Sequence, residues 1–226
     1  MEKRYEKNFS TISEEDMGVL KNSKVLVVGC GGLGGYIIEM LTRIGLGHIT
    51  VVDGDVFEES NLNRQLYSTM DNLGISKVEV VKKRVYQISP ETDLITIPQK
   101  LTLENIDPII LNHHLVIDAV DNITTRLLLE SKCNEYDLPL IHGAVAGWYF
   151  QLSVIMPGDN LLSKIYGANT ENGIESILGN PSFTPAAAAS FQVAECIKVL
   201  LNKNLPLRSK LLYVDLLNNS FDTLEL

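Results

Sequence analysis

The feature that most constrains this chain is a strand that runs directly into a glycine-rich turn and a helix. The apolar residues 25–28 are followed by Gly29, Gly31, Gly32 and Gly34. Gly29 and Gly31 allow a sharp turn and a close approach to a phosphate, whereas Gly34 allows the helix to pack against the strand. Backbone amides and the positive end of the helix dipole favour an anion here. The pattern predicts a bound nucleotide, and the alternative is an empty doubly wound domain whose glycines only tighten a turn.

A carboxylate and a second motif follow. Asp53 ends the next predicted strand about 20 residues after the glycine turn, the spacing at which an acid accepts hydrogen bonds from ribose hydroxyls. The segment from residue 60 to 65 then supplies Asn61, Arg64 and Gln65. A nicotinamide dehydrogenase has no evident need for an arginine and paired amides at this place, whereas an enzyme that handles a triphosphate does. We therefore expect these side chains to contact the nucleotide.

Lys77 and Asp121 are two further candidate site residues. Lys77 begins a predicted helix, where a cation gains nothing from the helix dipole, so it is a candidate ligand of a bound anion. Taken alone it also suits a solvated surface. Asp121 lies beyond the carboxyl end of a predicted strand, where ligands of open α/β sheets bind, and a carboxylate there suits Mg²⁺. The alternative is that Asp121 or Asn122 caps the next helix.

The periodicity of the chain predicts an α/β fold. Up to residue 143, predicted strands alternate with predicted helices, which is typical of a Rossmann-like, doubly wound, mostly parallel sheet. The predicted strands are 24–28, 48–53, 93–98, 115–118 and one at 140–141. The predicted helices are 13–22, 32–45, 77–88 and 123–136, with Ser76 as a possible cap and a helical turn near 102–107.

The C-terminal third has a different pattern. Residues 147–156 predict a long antiparallel strand, and residues 157–184 an irregular connection. Pro185 suits the first turn of a helix at 186–201, and a hairpin at 210–216 and 219–225 ends the sequence. We expect one domain over residues 1–226, with a helical arm (1–23), a nucleotide-binding part (24–143) and a C-terminal part (144–226).

Composition excludes several classes of protein. The net charge is −9, which makes a nucleic-acid-binding surface improbable by electrostatics. The sequence contains neither an apolar run long enough to span a bilayer nor a signal-peptide pattern at residues 1–10, so we expect a soluble cytoplasmic protein without a membrane partner. The three cysteines have no paired spacing. Cys30 fits a small spacer in the glycine turn, and His142 fits a structural role better than a site role.

Together these motifs resemble the ThiF/MoeB/HesA family, the prokaryotic relatives of ubiquitin-activating enzymes. The resemblance covers nearly the whole chain. It rests on the glycine turn, Asp53-Gly54-Asp55, the segment 60–65, Gly74 with Lys77, the segment 118–122, the segment 139–143 and the segment 192–195.

The resemblance implies ATP-dependent adenylation of a protein carboxylate. The substrate would be a small β-grasp, ubiquitin-like sulfur carrier ending in Gly-Gly, in thiamine, molybdopterin or related biosynthesis. By analogy, the glycine turn and Asn122 would lie against the nucleotide and Asp53 would hold the ribose. Phosphate oxygens would be contacted by Asn61, Arg64, Gln65 and Lys77. Asp121 would bind Mg²⁺, and the protein would act as a homodimer.

The sequence also departs from the family pattern. The two CxxC pairs that hold zinc in many members are missing, so we expect no zinc. The connection at 157–184 contains no cysteine, so we expect a separate sulfur donor. Lys7, with Arg4 nearby, occupies the place of an arginine that reaches the partner subunit's ATP site. A lysine lacks the bidentate fork of arginine, which leaves this contact in trans open.

Three other functions remain open at this point. Relatives that dehydrate threonylcarbamoyl-adenosine in tRNA adenylate a modified base instead of a protein, although the acidic composition disfavours tRNA. An NAD-dependent Rossmann oxidoreductase is a second alternative, but it leaves Arg64, Lys77 and Asp121 without a role. A non-catalytic scaffold that keeps the fold is a third.

Overall fold

The computed structural model describes residues 3–167 and 175–226, and these contain one mixed sheet of eight strands. The strands are β1 (Lys24–Val28), β2 (His48–Val52), β3 (Asp93–Ile97), β4 (Leu115–Asp118), β5 (Leu140–Ala146), β6 (Tyr149–Ile155), β7 (Lys210–Asp215) and β8 (Ser220–Glu225). The α-helices are α1 (Glu14–Asn22), α2 (Gly32–Ile44), α3 (Lys77–Ile88), α4 (Ile106–Ile110), α5 (Ile123–Glu135), α6 (Leu161–Tyr166), α7 (Glu175–Leu178) and α8 (Phe183–Leu200).

The strands lie in the order β3-β2-β1-β4-β5-β6-β7-β8. Strands β1 to β5 pair in parallel with their neighbours, and the pairs β5–β6, β6–β7 and β7–β8 are antiparallel. The predicted doubly wound, mostly parallel fold with added antiparallel strands and a C-terminal hairpin is therefore confirmed. The chain leaves β1 toward β2 on one side and reaches β4 on the other, so a crevice opens at the carboxyl ends of β1 and β4.

Apolar side chains on both faces of the sheet account for the layered packing. Helices α2, α3 and α8 cover one face, where Ile37, Val81 and Ala188 pack on the strands. Helices α4, α5 and α6 cover the other face, where Ile110 and Leu129 do the same. The central strands are apolar on both faces because both faces are buried, as parallel sheets require.

Local sequence signals explain several helix boundaries. Ser13 and Asp16 form a reciprocal capping box at the start of α1. Gly45 ends α2 in the left-handed conformation, with a φ of 96°. Ser76 precedes α3 as predicted, but its side chain makes no capping hydrogen bond. The predicted boundaries of these helices agree with the structure to within one residue.

One prediction of local structure was wrong. The irregular connection expected at 157–184 contains two short helices, α6 and α7, and residues 168–174 of it lie outside the described part. The helical turn expected near 102–107 is present, because Ile106 N donates to the carbonyl oxygen of Thr102 at 3.1 Å and the turn continues into α4. Asn105 Oδ1 accepts from Thr102 N at 2.8 Å at the start of this turn. Among the described residues, no helix is long and apolar enough to cross a membrane.

Candidate functional site

A cavity of about 360 Å³ lies at the carboxyl ends of β1, β2 and β4, where the strand order reverses. Its lining includes most of the residues that the sequence singled out: Gly29, Gly31, Gly32, Asp53, Arg64, Gln65, Lys77, Asp121 and Asn122. These residues come from distant parts of the sequence, and the parallel strand order brings them to one edge of the sheet.

The glycine turn closes one side of this cavity. Gly29 has a φ of 100°, and a Cβ there would meet the carbonyl oxygen of Ala119 at 2.5 Å. A Cβ at Gly34 would overlap the carbonyl oxygen of Gly29, so Gly34 lets α2 approach β1 but does not line the cavity. Cys30 is buried in this turn, and burial, with the charge of Asp53, raises the pKa of its thiol well above the ordinary value. Cys30 is therefore a spacer rather than a reactive thiolate.

Asp53 is held rigidly at the end of β2. Its Oδ2 accepts a hydrogen bond from Cys30 N at 2.6 Å, and its Oδ1 accepts one from Asp55 N at 2.8 Å. A carboxylate has about four acceptor positions, so each oxygen keeps capacity for a further donor such as a hydroxyl. These two bonds fix the carboxylate against the glycine turn, at the edge of the cavity.

Lys77 is a buried lysine at the first residue of α3. Only 7% of the residue is exposed, and its Nζ lies 3.4 Å from Asp55 Oδ2. Lys100 Nζ lies 3.4 Å from the other oxygen of Asp55. Although burial raises it, the charges of Lys77 and Lys100 hold the pKa of the Asp55 carboxyl below its ordinary value. Asp55 therefore partly compensates a buried ammonium group that faces the cavity, and the surface interpretation of Lys77 is excluded.

Arg64 is held at the cavity wall by contacts with its own loop. Its Nη1 donates to the carbonyl oxygen of Ser60 at 3.0 Å and to Asn63 Oδ1 at 2.9 Å. Asn63 Nδ2 in turn donates to the carbonyl oxygen of Asn180 at 3.1 Å. Gln65 is buried, and within the described residues its Oε1 has no hydrogen-bond partner. The guanidinium and this amide thus face the same cavity from adjacent positions of the sequence.

The helix-cap alternative for Asp121 is settled by its neighbour. Asn122 Oδ1 accepts from Thr125 N at 2.8 Å and caps α5. Asp121 is exposed to the cavity, and in the described part of the chain no hydrogen bond or ion pair engages its carboxylate. A single free carboxylate at a cavity is the kind of ligand that Mg²⁺ uses when it binds one or two carboxylates together with phosphate oxygens and water.

Besides Gly34, three predicted site residues lie outside the cavity lining. Asn61 is buried, and its Oδ1 accepts from Glu58 N at 3.1 Å, so its side chain caps a 3-10 turn instead of lining the cavity. Arg4 donates to Ser89 Oγ at 3.3 Å, beyond the end of α3 and away from the cavity. Lys7 is in the same N-terminal 3-10 helix, with a side chain that is 94% exposed. Arg4 and Lys7 do not reach the cavity of their own subunit.

Sequence reasoning missed other residues of the cavity wall: Asp55, Lys100, Thr102, Arg126, Asn180 and Pro185. Arg126 lies in the first turn of α5, at the end of the helix that adjoins Asp121, but its spacing from Asp121 does not match a shared helix face. Asn180 and Pro185 carried no sequence signal for the site, because only the return of the chain across the sheet brings these two residues to the cavity. The wall thus combines cationic side chains with carboxylates, and the charge of Arg126 is already paired with the buried carboxylate of Asp118.

Comparisons with known proteins identify the family of this chain. A family model described as the ThiF family matches residues 4–226. The chain is 35% identical over 201 residues to a molybdopterin-synthase adenylyltransferase of Haemophilus influenzae, covering 87% of this chain and 82% of that protein. It is 33% identical over 225 residues to a sulfur carrier protein adenylyltransferase of Thermus thermophilus, covering 93% of this chain and 81% of that one.

Solved structures support the fold. The crystal structure of Escherichia coli MccB with ATP superimposes with a TM-score of 0.85, over all of this chain and 71% of MccB. The sequence identity of that pair is 21%, so the match concerns the architecture alone.

Proposed function

The chain belongs to the ThiF family and is an adenylyltransferase, and from this premise we propose that its substrate is the C-terminal carboxylate of a small ubiquitin-like sulfur carrier protein ending in Gly-Gly. The observation that carries the proposal is the meeting of buried Lys77, Arg64 and the free carboxylate of Asp121 around one cavity beside a glycine turn. A nicotinamide cofactor would leave these three side chains without a role.

The proposed reaction is a displacement at the α-phosphorus of ATP. An oxygen of the carrier carboxylate forms a bond to that phosphorus, and the bond to the bridging oxygen of the β-phosphate breaks. The electron pair leaves with pyrophosphate, and the product is a carrier acyl-adenylate. The nucleophile is ionised at neutral pH, so the protein has to position two mutually repelling anions and offset their charge.

Each residue of the cavity fits one part of this task. The turn at Gly29 and Gly31 allows the backbone to approach phosphate oxygens. Asp53 accepts from ribose hydroxyls, while Arg64 and Lys77 offset the charge of the phosphates. In a largely buried setting such charges act more strongly than in water.

Magnesium is part of the proposal because the donor set fits it. Asp121 and the phosphate oxygens would hold the ion, which offsets phosphate charge when bound. Zinc is not part of the proposal, since the sequence has no paired cysteines. We also propose that the protein acts as a homodimer, with a contact in trans from Lys7 or Arg4. The sulfur would come from a separate donor, and the pathway would be thiamine, molybdopterin or related biosynthesis.

The test is ATP–pyrophosphate exchange with purified carriers that end in Gly-Gly. We expect exchange that requires both Mg²⁺ and the carrier, and that disappears when the carrier lacks its last glycine. Asp121→Ala should lower the exchange rate by about 100-fold, which is the usual effect of removing one group that stabilises charge in the transition state. Asp222→Ala, at an exposed position of β8, is the matched control and should leave the rate unchanged.

Two outcomes would overturn the proposal. Exchange with none of the carriers, combined with exchange stimulated by tRNA, would favour the threonylcarbamoyl-adenosine reaction. Full exchange by Asp121→Ala in the presence of Mg²⁺ would remove Asp121 from the metal site.

A further inference from the structure

Below the cavity wall, five side chains from five different elements close a ring of polar contacts, which we call the polar ring: Asp118, His142, Gln151, Tyr166 and Arg126. His142 Nδ1 lies 2.7 Å from Asp118 Oδ2, and Gln151 Nε2 lies 3.2 Å from His142 Nε2. The Tyr166 hydroxyl accepts from Gln151 Nε2 at 2.7 Å and from Arg126 Nη1 at 3.2 Å. Arg126 Nε closes the ring 3.5 Å from Asp118 Oδ2.

One protonation pattern fits the contacts of Asp118, His142 and Gln151 in the polar ring. With its proton on Nδ1, neutral His142 donates to Asp118 and keeps Nε2 as an acceptor for the Gln151 amide. That amide has two protons, one for His142 and one for Tyr166. Asp118 and His142 are fully buried and Arg126 is 4% exposed, so the contacts act in a setting shielded from water. A network of this kind is rigid because each of its members restrains the next.

The polar ring holds the residue that precedes Asp121. Val120 N donates to Asp118 Oδ1 at 3.1 Å, and the Val120 carbonyl oxygen accepts from Arg126 Nη2 at 2.7 Å. Both ends of Val120 are therefore tied to the buried ion pair of Asp118 and Arg126. Asp121 follows directly, so its backbone position is determined by this pair.

We infer that the polar ring pre-organises the cavity wall at residues 120–122, and that Tyr166 and Gln151 are positioning residues that act through Arg126. Neither Tyr166 nor Gln151 lines the cavity. Tyr166 is the last residue of α6, so the ring also ties that helix to the site. This inference rests on the proposed function only in naming Mg·ATP as the ligand. The contacts of Asp118 and Arg126 with Val120 exist in the ligand-free protein.

The first experiment is amide hydrogen exchange on the ligand-free protein carrying Tyr166→Phe. This variant keeps the ring of the side chain and removes the acceptor shared by Arg126 and Gln151. We expect exchange at residues 120–122 to accelerate by about tenfold, because a buried donor that loses its acceptor destabilises the local structure. Protection in β1 should stay unchanged. Tyr86→Phe, a residue that is 70% exposed on α3, is the control and should alter neither segment.

The second experiment measures ATP affinity by calorimetry with and without Mg²⁺. In the wild type we expect Mg²⁺ to increase the affinity, and in Tyr166→Phe we expect that gain to fall by about tenfold while the affinity without Mg²⁺ is kept. A general loss of packing would weaken both affinities equally. Gln151→Met, which breaks the ring at the next position, should change the same quantity in the same direction.

The outcomes separate this inference from the proposed function. Unchanged exchange at residues 120–122 and an unchanged Mg²⁺ gain in both variants would overturn the role of the polar ring, whatever reaction the protein catalyses. A wild type that binds Mg·ATP but exchanges pyrophosphate with no carrier would overturn the proposed substrate alone, because hydrogen exchange and calorimetry would still decide the role of Tyr166.

Discussion

Lys77 Nζ, buried at the first residue of α3, lies 3.4 Å from Oδ2 of Asp55, which follows β2. A buried ammonium group is costly unless it is paired, and here its partner also serves a second lysine, Lys100. The cation is therefore only partly compensated and faces a cavity. A bound polyanion would complete the charge balance of this site.

The first prediction concerns that buried lysine. Lys77→Met keeps most of the volume and removes the charge, so we expect ATP–pyrophosphate exchange to fall by about 100-fold or more. Lys83→Met, at an exposed position of the same helix, should retain the wild-type rate. Rate measurements over a range of ATP concentrations check this, and equal rates for the two variants would contradict it.

The second prediction concerns the packing of the glycine turn. Gly34→Ala places a methyl group into the carbonyl oxygen of Gly29, so we expect the free energy of unfolding to fall by about 1–3 kcal/mol, as in other overpacked sites. Gly18→Ala, in α1 with open space around it, should instead raise stability by up to about 1 kcal/mol. Urea denaturation of both variants provides the comparison, and a neutral Gly34→Ala would refute the close contact.

The third prediction concerns the orientation of Arg64. Asn63→Ala removes the amide that accepts from Arg64 Nη1 and donates to the carbonyl oxygen of Asn180. Since the site is partly exposed, we expect the KM for ATP to rise by about threefold to tenfold, the net range of one ordinary hydrogen bond. Asn22→Ala, at an exposed position of α1, is the control and should leave the KM unchanged. A KM equal to that of the wild type would show that Ser60 alone positions the guanidinium.

The fourth prediction concerns pH and His142. Burial lowers the pKa of this imidazole; Asp118 and Glu130 oppose the shift and Arg126 reinforces it. The unfolded chain therefore takes up a proton near pH 6.5 while the folded protein does not. The stability contributed by neutral His142 is present above about pH 6.5 and is lost as the pH falls below that value.

Chemical denaturation between pH 7.5 and 5 tests whether stability falls with falling pH, since this range brackets the ordinary pKa of histidine of about 6.5. The unfolding free energy of the wild type should decrease more steeply than that of His142→Gln, whose amide keeps a donor for Asp118 without titrating. The difference between the two curves removes the contribution of His113, whose pKa is also lowered, chiefly by burial. Parallel curves for the two proteins would rule the prediction out.

Much of the fold was predictable because its signals are local. The period of the apolar residues, the capping box at Ser13 and the glycine turn identify elements such as α1, β1 and α2 within one residue. The ThiF family and the adenylyltransferase class, both predicted from the motifs, are confirmed by the family model and by the named relatives. The connection at 157–184 was misread because its helices are short and have weak periodicity.

The site was only partly predictable, for a reason visible at Asn61 and Asp121. Both were expected at the nucleotide from their motifs. Asn61 instead caps a 3-10 turn, whereas Asn122 takes the cap of α5 and leaves Asp121 at the cavity. The packing of the backbone decides which of several neighbouring polar side chains faces the cavity. A sequence motif does not contain that information.

The sequence by itself therefore determined the order of strands and helices, the glycine turn and the chemical types of side chain at the strand ends, because these depend on neighbours within a few residues. Only the tertiary structure decided the burial of Lys77 against Asp55 and the closure of the polar ring from Asp118 to Tyr166. The physical reason is that charge burial and hydrogen-bond partners depend on distances in space. Those distances are set when the sheet brings together residues that are far apart in the chain.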